Sequence, residues 1–366
     1  MASDARPRVA RLSAIATLIL LAGLLPAPSL AARPTATVMT RNLYFGADLG
    51  PVIAATTQSE FIARVGAAYS AALATDFPSR AQAWADEIEE TGPDVIGLQE
   101  AVLWRTQTPA DFSPTPNATT VVADFPALLT AALEARGLRY DVVAAQTGYD
   151  VEAPGLVGGR IIDIRLTQQE VILVRHVGWV KATGTQGGQY TARLTIPTAL
   201  GVPIELPWAW ASVDVTVRGQ SFRFATTHLD PTSGAAQEAQ AAEFLAGPAR
   251  GRRPMIWVGD FNSDASGGPV TGVPPMTATY GEVLAAGFED AWAKQHPANT
   301  GLTCCFAADL RDPAPAFTSR IDLVLTRGRF EVENAKVIGA AEADRLPSGL
   351  WPSDHAGVVA TLSMDD

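Results

Sequence analysis

Short runs of apolar and β-branched residues punctuate the chain at Thr37–Thr40, Val95–Leu98, Glu170–Val174, Ala211–Val217, Phe222–Thr227, Met255–Val258, Ile321–Leu325 and Gly357–Leu362. Their length and scarcity of polar positions predict buried strands. Between them, apolar residues at helical spacing predict helices over Glu60–Ala74, Arg80–Glu90, Phe125–Arg136, Gln237–Ala246 and Tyr280–Ala286. This alternation predicts a mixed α/β fold. No segment recurs with a period of about 20–50 residues, which excludes solenoids and propellers. Thr106–Thr120, rich in Pro and Thr, reads as a surface loop, and Gly155–Gly159 and Gly187–Gly188 as further loops.

The N-terminal pattern differs from the rest. Arg6, Arg8 and Arg11 precede an apolar run from Ala14 to Leu25, and Ser29-Leu30-Ala31 follows with small residues at the positions that define cleavage. A run this short, against the roughly 20 apolar residues of a membrane span, reads as a secretory signal peptide over residues 1–31. The protein is therefore expected to be secreted or periplasmic after cleavage near Ala31, with residues 32–366 as one domain. The alternative is an uncleaved N-terminal anchor.

Composition changes the picture only in part. Apolar residues make up 47% of the chain and charged residues 18%, which excludes a mostly disordered protein. Residues 1–31 carry three arginines and one aspartate, so their removal takes the net charge from −11 to −13. An acidic surface weighs against sequence-independent nucleic-acid binding, although local patches and bound cations can override it. The two cysteines are adjacent, Cys304 and Cys305. Two thiols in a tight loop and a disulfide between neighbours both remain open, and too few other cysteines and histidines exist to complete a zinc site.

Candidate chemistry lies at strand ends. Asn42 closes Val38-Met-Thr-Arg-Asn42; Glu100 follows Asp94-Val-Ile-Gly-Leu-Gln99; His228 closes Phe224-Ala-Thr-Thr-His228; Asp260 and Asn262 follow Met255-Ile-Trp-Val-Gly259. Asp322 opens a strand after Ser319-Arg-Ile, and Ser353-Asp354-His355 precedes the last one. Ligands of α/β sheets bind at strand ends. Taken singly, each group has a structural reading: a side-chain-capped turn for Asp260 and Asn262, a cap for Glu100 or for Asp354-His355. Six convergent termini favour catalysis. His176 and His296 lack such company and read as structural or solvent-exposed.

The ordered set Asn42, Gln99-Glu100, His228-Leu229, Gly259-Asp260-Phe-Asn262, Arg320-Ile-Asp322 and Ser353-Asp354-His355 resembles the endonuclease/exonuclease/phosphatase superfamily, with its deoxyribonuclease I, abasic-site endonuclease and neutral sphingomyelinase relatives. The pieces are short, but order and spacing agree over essentially the whole mature chain. The resemblance implies a deoxyribonuclease I-like four-layer α/β/β/α sandwich with the site at one edge of its two sheets. It also implies Glu100 as main ligand of Mg²⁺ or Mn²⁺ with Asn42 and Asp354 beside the same ion, since hard oxygens suit a hard cation.

By the same resemblance, Asp260 orients or deprotonates the attacking water and Asn262 hydrogen-bonds the scissile phosphate. His355 contacts the phosphate while Asp322 holds its imidazole; which of these groups is the general base stays open. His228 corresponds to the histidine beside the leaving group in deoxyribonuclease I and the sphingomyelinases. Two departures stand out. Tyr44 occupies a position that is acidic in some relatives, and Thr318-Ser319-Arg320 differs from the Trp-Cys-Asp-Arg run of the inositol-phosphatase branch.

These features predict a divalent-metal-dependent phosphodiesterase, expected to act as a monomer. Nucleic acid, phospholipid or a small phosphoester is the expected substrate; the alternative is a non-catalytic binding or adhesion module on the same scaffold. Trp208 and Trp210 would share one face of a strand, as core or with Leu194–Pro207 as an exposed hairpin. Such a hairpin would make transient membrane contact through residues 194–210. Arg165, Gln168 and Glu170 are further candidates for shaping the cleft.

Overall fold

The computed structural model describes residues 1–2, 33–198, 201, 203–267 and 278–364, and the chain from Pro34 onward forms one compact unit. The expected signal segment and its cleavage site lie outside the described residues. Every predicted strand and helix core is present, and most extend by one to three residues into flanking polar positions.

Two sheets carry the fold. The first runs in the order Phe330–Ile338, Gly357–Met364, Thr35–Asn42, Val95–Gln99, Arg160–Arg175, Leu103–Gln107, Thr120–Asp124, with Tyr140–Val157 also paired to Arg160–Arg175. The second runs Glu289–Asp290, Asp322–Arg327, Met255–Asp260, Gln220–His228, Ala209–Val217, Val180–Gln189.

Alternate strand residues serve different layers, as the period of two requires. Val38, Val95, Ile256, Val258 and Val324 belong to one cluster together with Ile172, Val213 and Phe224 from both sheets. Their neighbours Met39, Ile96, Trp257, Leu323 and Leu325 belong to another, with helix residues such as Phe61, Trp84, Leu129 and Phe244. Strands sandwiched between a facing sheet and covering helices are apolar on both sides, which is why they read as continuous runs. The arrangement is the expected four-layer α/β/β/α sandwich.

The strand stretches that the sequence pattern missed are the polar ones. Tyr140–Val157 and Arg160–Arg175, of which only Glu170–Val174 was expected, form a long hairpin turning at Gly158-Gly159, with Val157 opposite Arg160. Acidic and basic residues along it, such as Asp150, Glu152, Asp163 and Arg165, break the apolar pattern. Gly187-Gly188 is a correction: it lies inside the strand Val180–Gln189. A Cβ at Gly187 would come 2.6 Å from the Gln146 side chain, so glycine there answers close packing rather than a turn.

Candidate active site

Register across each sheet assembles the site. Asn42 lies opposite Gln99 in the parallel pair of the first sheet. In the second, His228 pairs with Asp260 and Asp260 with Asp322, so three candidate side chains sit side by side in one row. Gly259 is required beside them: its φ is +148°, and a Cβ would stand 2.0 Å from the Thr227 carbonyl oxygen. Glu100 and Asn262, just past strand ends, take φ of 51° and 49°, and such strained positions concentrate at functional sites.

The polar network connects both sheets. Asn42 donates its amide to Glu100 Oε1 at 3.2 Å and to Asp260 Oδ2 at 3.1 Å, so it spans the two carboxylates. Its Oδ1 accepts from the Tyr44 backbone N–H at 2.8 Å. Glu100 Oε2 accepts from the Phe45 N–H at 2.9 Å. Asn262 donates one amide proton to the Leu229 carbonyl at 2.9 Å, and its backbone N–H is accepted by Asp260 Oδ1 at 3.0 Å.

His355 Nδ1 lies 2.9 Å from Asp322 Oδ2. Its Nε2 lies 3.8 Å from the sulfurs of both Cys304 and Cys305, which line the cleft beside it. The Ser353 hydroxyl fixes the turn, donating to the Asn42 carbonyl at 2.8 Å and accepting from the His355 N–H at 3.2 Å.

Burial sets the protonation states. It pushes the Glu100 carboxyl up to about 7, reinforced by the Asp354 charge. It pushes Asp260 up to about 8, with His355 restraining the rise and Asp322 adding to it. His355 itself is drawn down by burial, but the charges of Asp322, Asp354 and Asp260 outweigh that and hold it well above the usual histidine value. His228 is held well below it by burial and by the His355 charge. The contact of 3.5 Å between His228 Nε2 and Asp260 is therefore one with a neutral imidazole rather than an ion pair. The two histidines are thus separated into a proton-rich and a proton-poor one, the division that acid–base chemistry requires.

All eight candidate residues converge on one cleft: Glu100, His228, Asp260, Asn262, Asp354 and His355 line it, and Asn42 and Asp322 lie behind, bonded to lining groups. His176 pairs with Asp141 at the surface and His296 with the Ala335 carbonyl, both outside it. Arg165 turns away to Asp150. Glu170 is fully buried, accepts from Gln168 at 2.6 Å, and is held well above the usual carboxyl value by burial, with the Glu100 and Asp260 charges adding to this.

Other contributors carried no local signal. Trp208 lies 4.2 Å from His228, ring centre to ring centre, and Tyr149 meets Trp208 edge-on. Arg80, buried, donates to the carbonyls of Leu43, Tyr44 and Pro352, and Arg41 donates to that of His355. An arginine within an otherwise apolar strand, as at Arg41, is the one sequence feature that could have pointed to such a role.

The donor set suits a hard divalent cation. Glu100, Asp354 and the Asn42 amide offer oxygen atoms, the two carboxyls are raised by burial, and no lysine or arginine is among the described residues lining the cleft.

Residues 69–355 match the endonuclease/exonuclease/phosphatase family. No curated protein matches the chain. Among solved structures, an endonuclease/exonuclease/phosphatase from Beutenbergia cavernae is 22% identical with a TM-score of 0.55, over 91% of this chain and 72% of that one. A humanized TDP2 of D. rerio is 16% identical with a TM-score of 0.54, over 90% and 99%. A mannosyl-6-phosphatase of Bacteroides thetaiotaomicron is 18% identical with a TM-score of 0.51, over 89% and 99%. At these identities the structural likeness speaks to the fold, while the match over most of the sequence, with the same polar residues gathered in one cleft, establishes that this chain belongs to the endonuclease/exonuclease/phosphatase family of phosphoester hydrolases.

Proposed function

We propose that the protein is an exported, divalent-metal-dependent phosphodiesterase. The observation that carries this reading is the convergence of two histidines on Asp260, His228 at 3.5 Å and His355 at 3.8 Å, the first held well below and the second well above the usual histidine value. A phosphodiester needs both an activated water and help for a leaving alkoxide, and two histidines of opposite protonation suit the two tasks. Export rests on the N-terminal pattern alone.

Glu100, Asp354 and Asn42 would hold Mg²⁺ or Mn²⁺, which when bound neutralises charge on a phosphoryl oxygen and the leaving group. Asp260, whose raised carboxyl is ready to share a proton, orients the attacking water. Asn262 offers its remaining amide proton to the phosphate. His355, fixed by Asp322, presents Nε2 to the same phosphate. A non-catalytic binding module has no use for this separation of proton affinities.

Purified protein should hydrolyse bis-p-nitrophenyl phosphate with Mg²⁺ and lose that activity with chelator; plasmid DNA and sphingomyelin tested beside it report the natural class. A folded protein inert toward all three, with and without metal, would return the weight to the binding module.

The raised carboxyls also set a pH dependence. Unfolded carboxylates titrate near about 4, so folded Glu100 and Asp260 keep protons that the unfolded chain has released, and stability falls as pH rises from there through about 7 and 8. His355, raised above its unfolded value, acts in the same direction above about pH 6.5. A bound cation replaces those protons. Its stabilisation, read as a Mg²⁺-induced rise in Tm, should therefore be larger at about pH 8.5 than at about pH 5.5. Equal rises at both would remove Glu100 from the ligand set.

A further inference from the structure

Beside the catalytic cleft lies a cavity of about 100 Å³ with almost no polar atom on its wall. Leu49, Ile53, Ile196 and Leu206 line both, so the two spaces adjoin at a shared apolar mouth. Phe61, Val65 and Trp104, all buried, line the cavity but not the cleft. Ile53, at the mouth, is 44% exposed, although it is a large aliphatic residue beside an acidic site.

The segment Leu194–Pro207 contributes to this mouth. Its strands Leu194–Ile196 and Ile204–Leu206 pair as a hairpin, whose Ile196 is buried against the cavity while Thr195 and Glu205 face solvent. The apolar residues that suggested contact with a lipid surface thus line a pocket at the site, at least at Ile196 and Leu206.

We infer that this cavity receives a hydrocarbon chain of the substrate, making the preferred substrate a lipid-like phosphodiester with a single phosphate. The inference rests on the phosphodiesterase reading above. Adjacency of the two spaces lets a chain reach the cavity when the phosphate sits among His228, Asn262 and His355. An apolar cavity of about 150 Å³ stays dry and takes up benzene, so the smaller volume here fits a few methylenes. A polynucleotide is the poorer match. Its flanking phosphates need lysine or arginine, and neither type is among the described residues lining the cleft, where Asp48 adds a further negative charge. A sugar would leave its hydroxyls unpaired against the cavity wall.

The test is a chain-length series of methyl, butyl and octyl p-nitrophenyl phosphates, identical in charge and leaving group, below the concentration at which the octyl ester aggregates. kcat/KM should rise about three- to fourfold per methylene until the cavity is full, reaching at least roughly tenfold from methyl to octyl. Ala153→Phe, which fills the cavity from a position away from the cleft, should shrink the octyl-to-methyl ratio several-fold. All esters cleaved at equal kcat/KM, with or without plasmid nicking, would overturn the chain site and leave the phosphodiesterase reading intact. If no ester is cleaved, that reading fails, and calorimetric titration with octyl and methyl phosphate decides the cavity by itself: tighter octyl binding supports it, and equal binding overturns it.

Discussion

His355→Ala and Asp260→Ala are each expected to lower kcat by at least about two orders of magnitude, the scale of losing a positioned acid, base or charge stabiliser. The size follows from how completely each group is placed. His355 is held at Nδ1 by Asp322, at its carbonyl by Arg41 and at its N–H by Ser353. Asp260 is bridged by Asn42 to Glu100, bonds the Asn262 N–H and touches both histidines. Groups joined this way act as a unit, so the double variant should lose little more than the worse single one. Asp322→Asn should give a smaller but clear loss, since it keeps a polar neighbour for Nδ1 and removes the charge that holds the imidazole protonated. Steady-state kinetics beside thermal melts separate chemistry from folding. Turnover within tenfold of the parent in both alanine variants would remove the pair from the mechanism.

What the sequence made legible follows the burial of the strands. Met255–Asp260 and Val95–Gln99 are covered on both faces, so their apolar runs and the polar residues ending them stood out. The hairpin Tyr140–Arg175 has a partly exposed, charged surface and left such a run only at Glu170–Val174. The eight polar candidates were readable because each terminates or opens a strand, and register brings strand ends together. Trp208 over His228, the place of the cysteine pair beside His355 Nε2 and the apolar cavity were not readable, because each joins segments apart in the chain and depends on how loops fold back over a sheet edge.

The support beneath the site should be as sensitive as its surface. Arg41 and Glu87 form a buried bidentate pair, at 2.9 Å through Nε and 2.8 Å through Nη2, and the remaining Nη1 donates to the His355 carbonyl. Both side chains are nearly sealed from water, with relative exposures of 1% and 7%. Glu87→Ala leaves a guanidinium buried without its counter-charge, which costs about 3–5 kcal/mol, about 4–7 °C in Tm for a chain of this length. Replacing both partners with apolar residues, Arg41→Met with Glu87→Leu, removes the uncompensated charge and should recover much of that stability. It does not restore a donor to the His355 carbonyl, so kcat should stay below the parent while Tm returns toward it. Recovery of both together would show that the pair serves packing alone; recovery of Tm without kcat would show that the buried Arg41–Glu87 pair acts on turnover through the guanidinium that meets the His355 carbonyl.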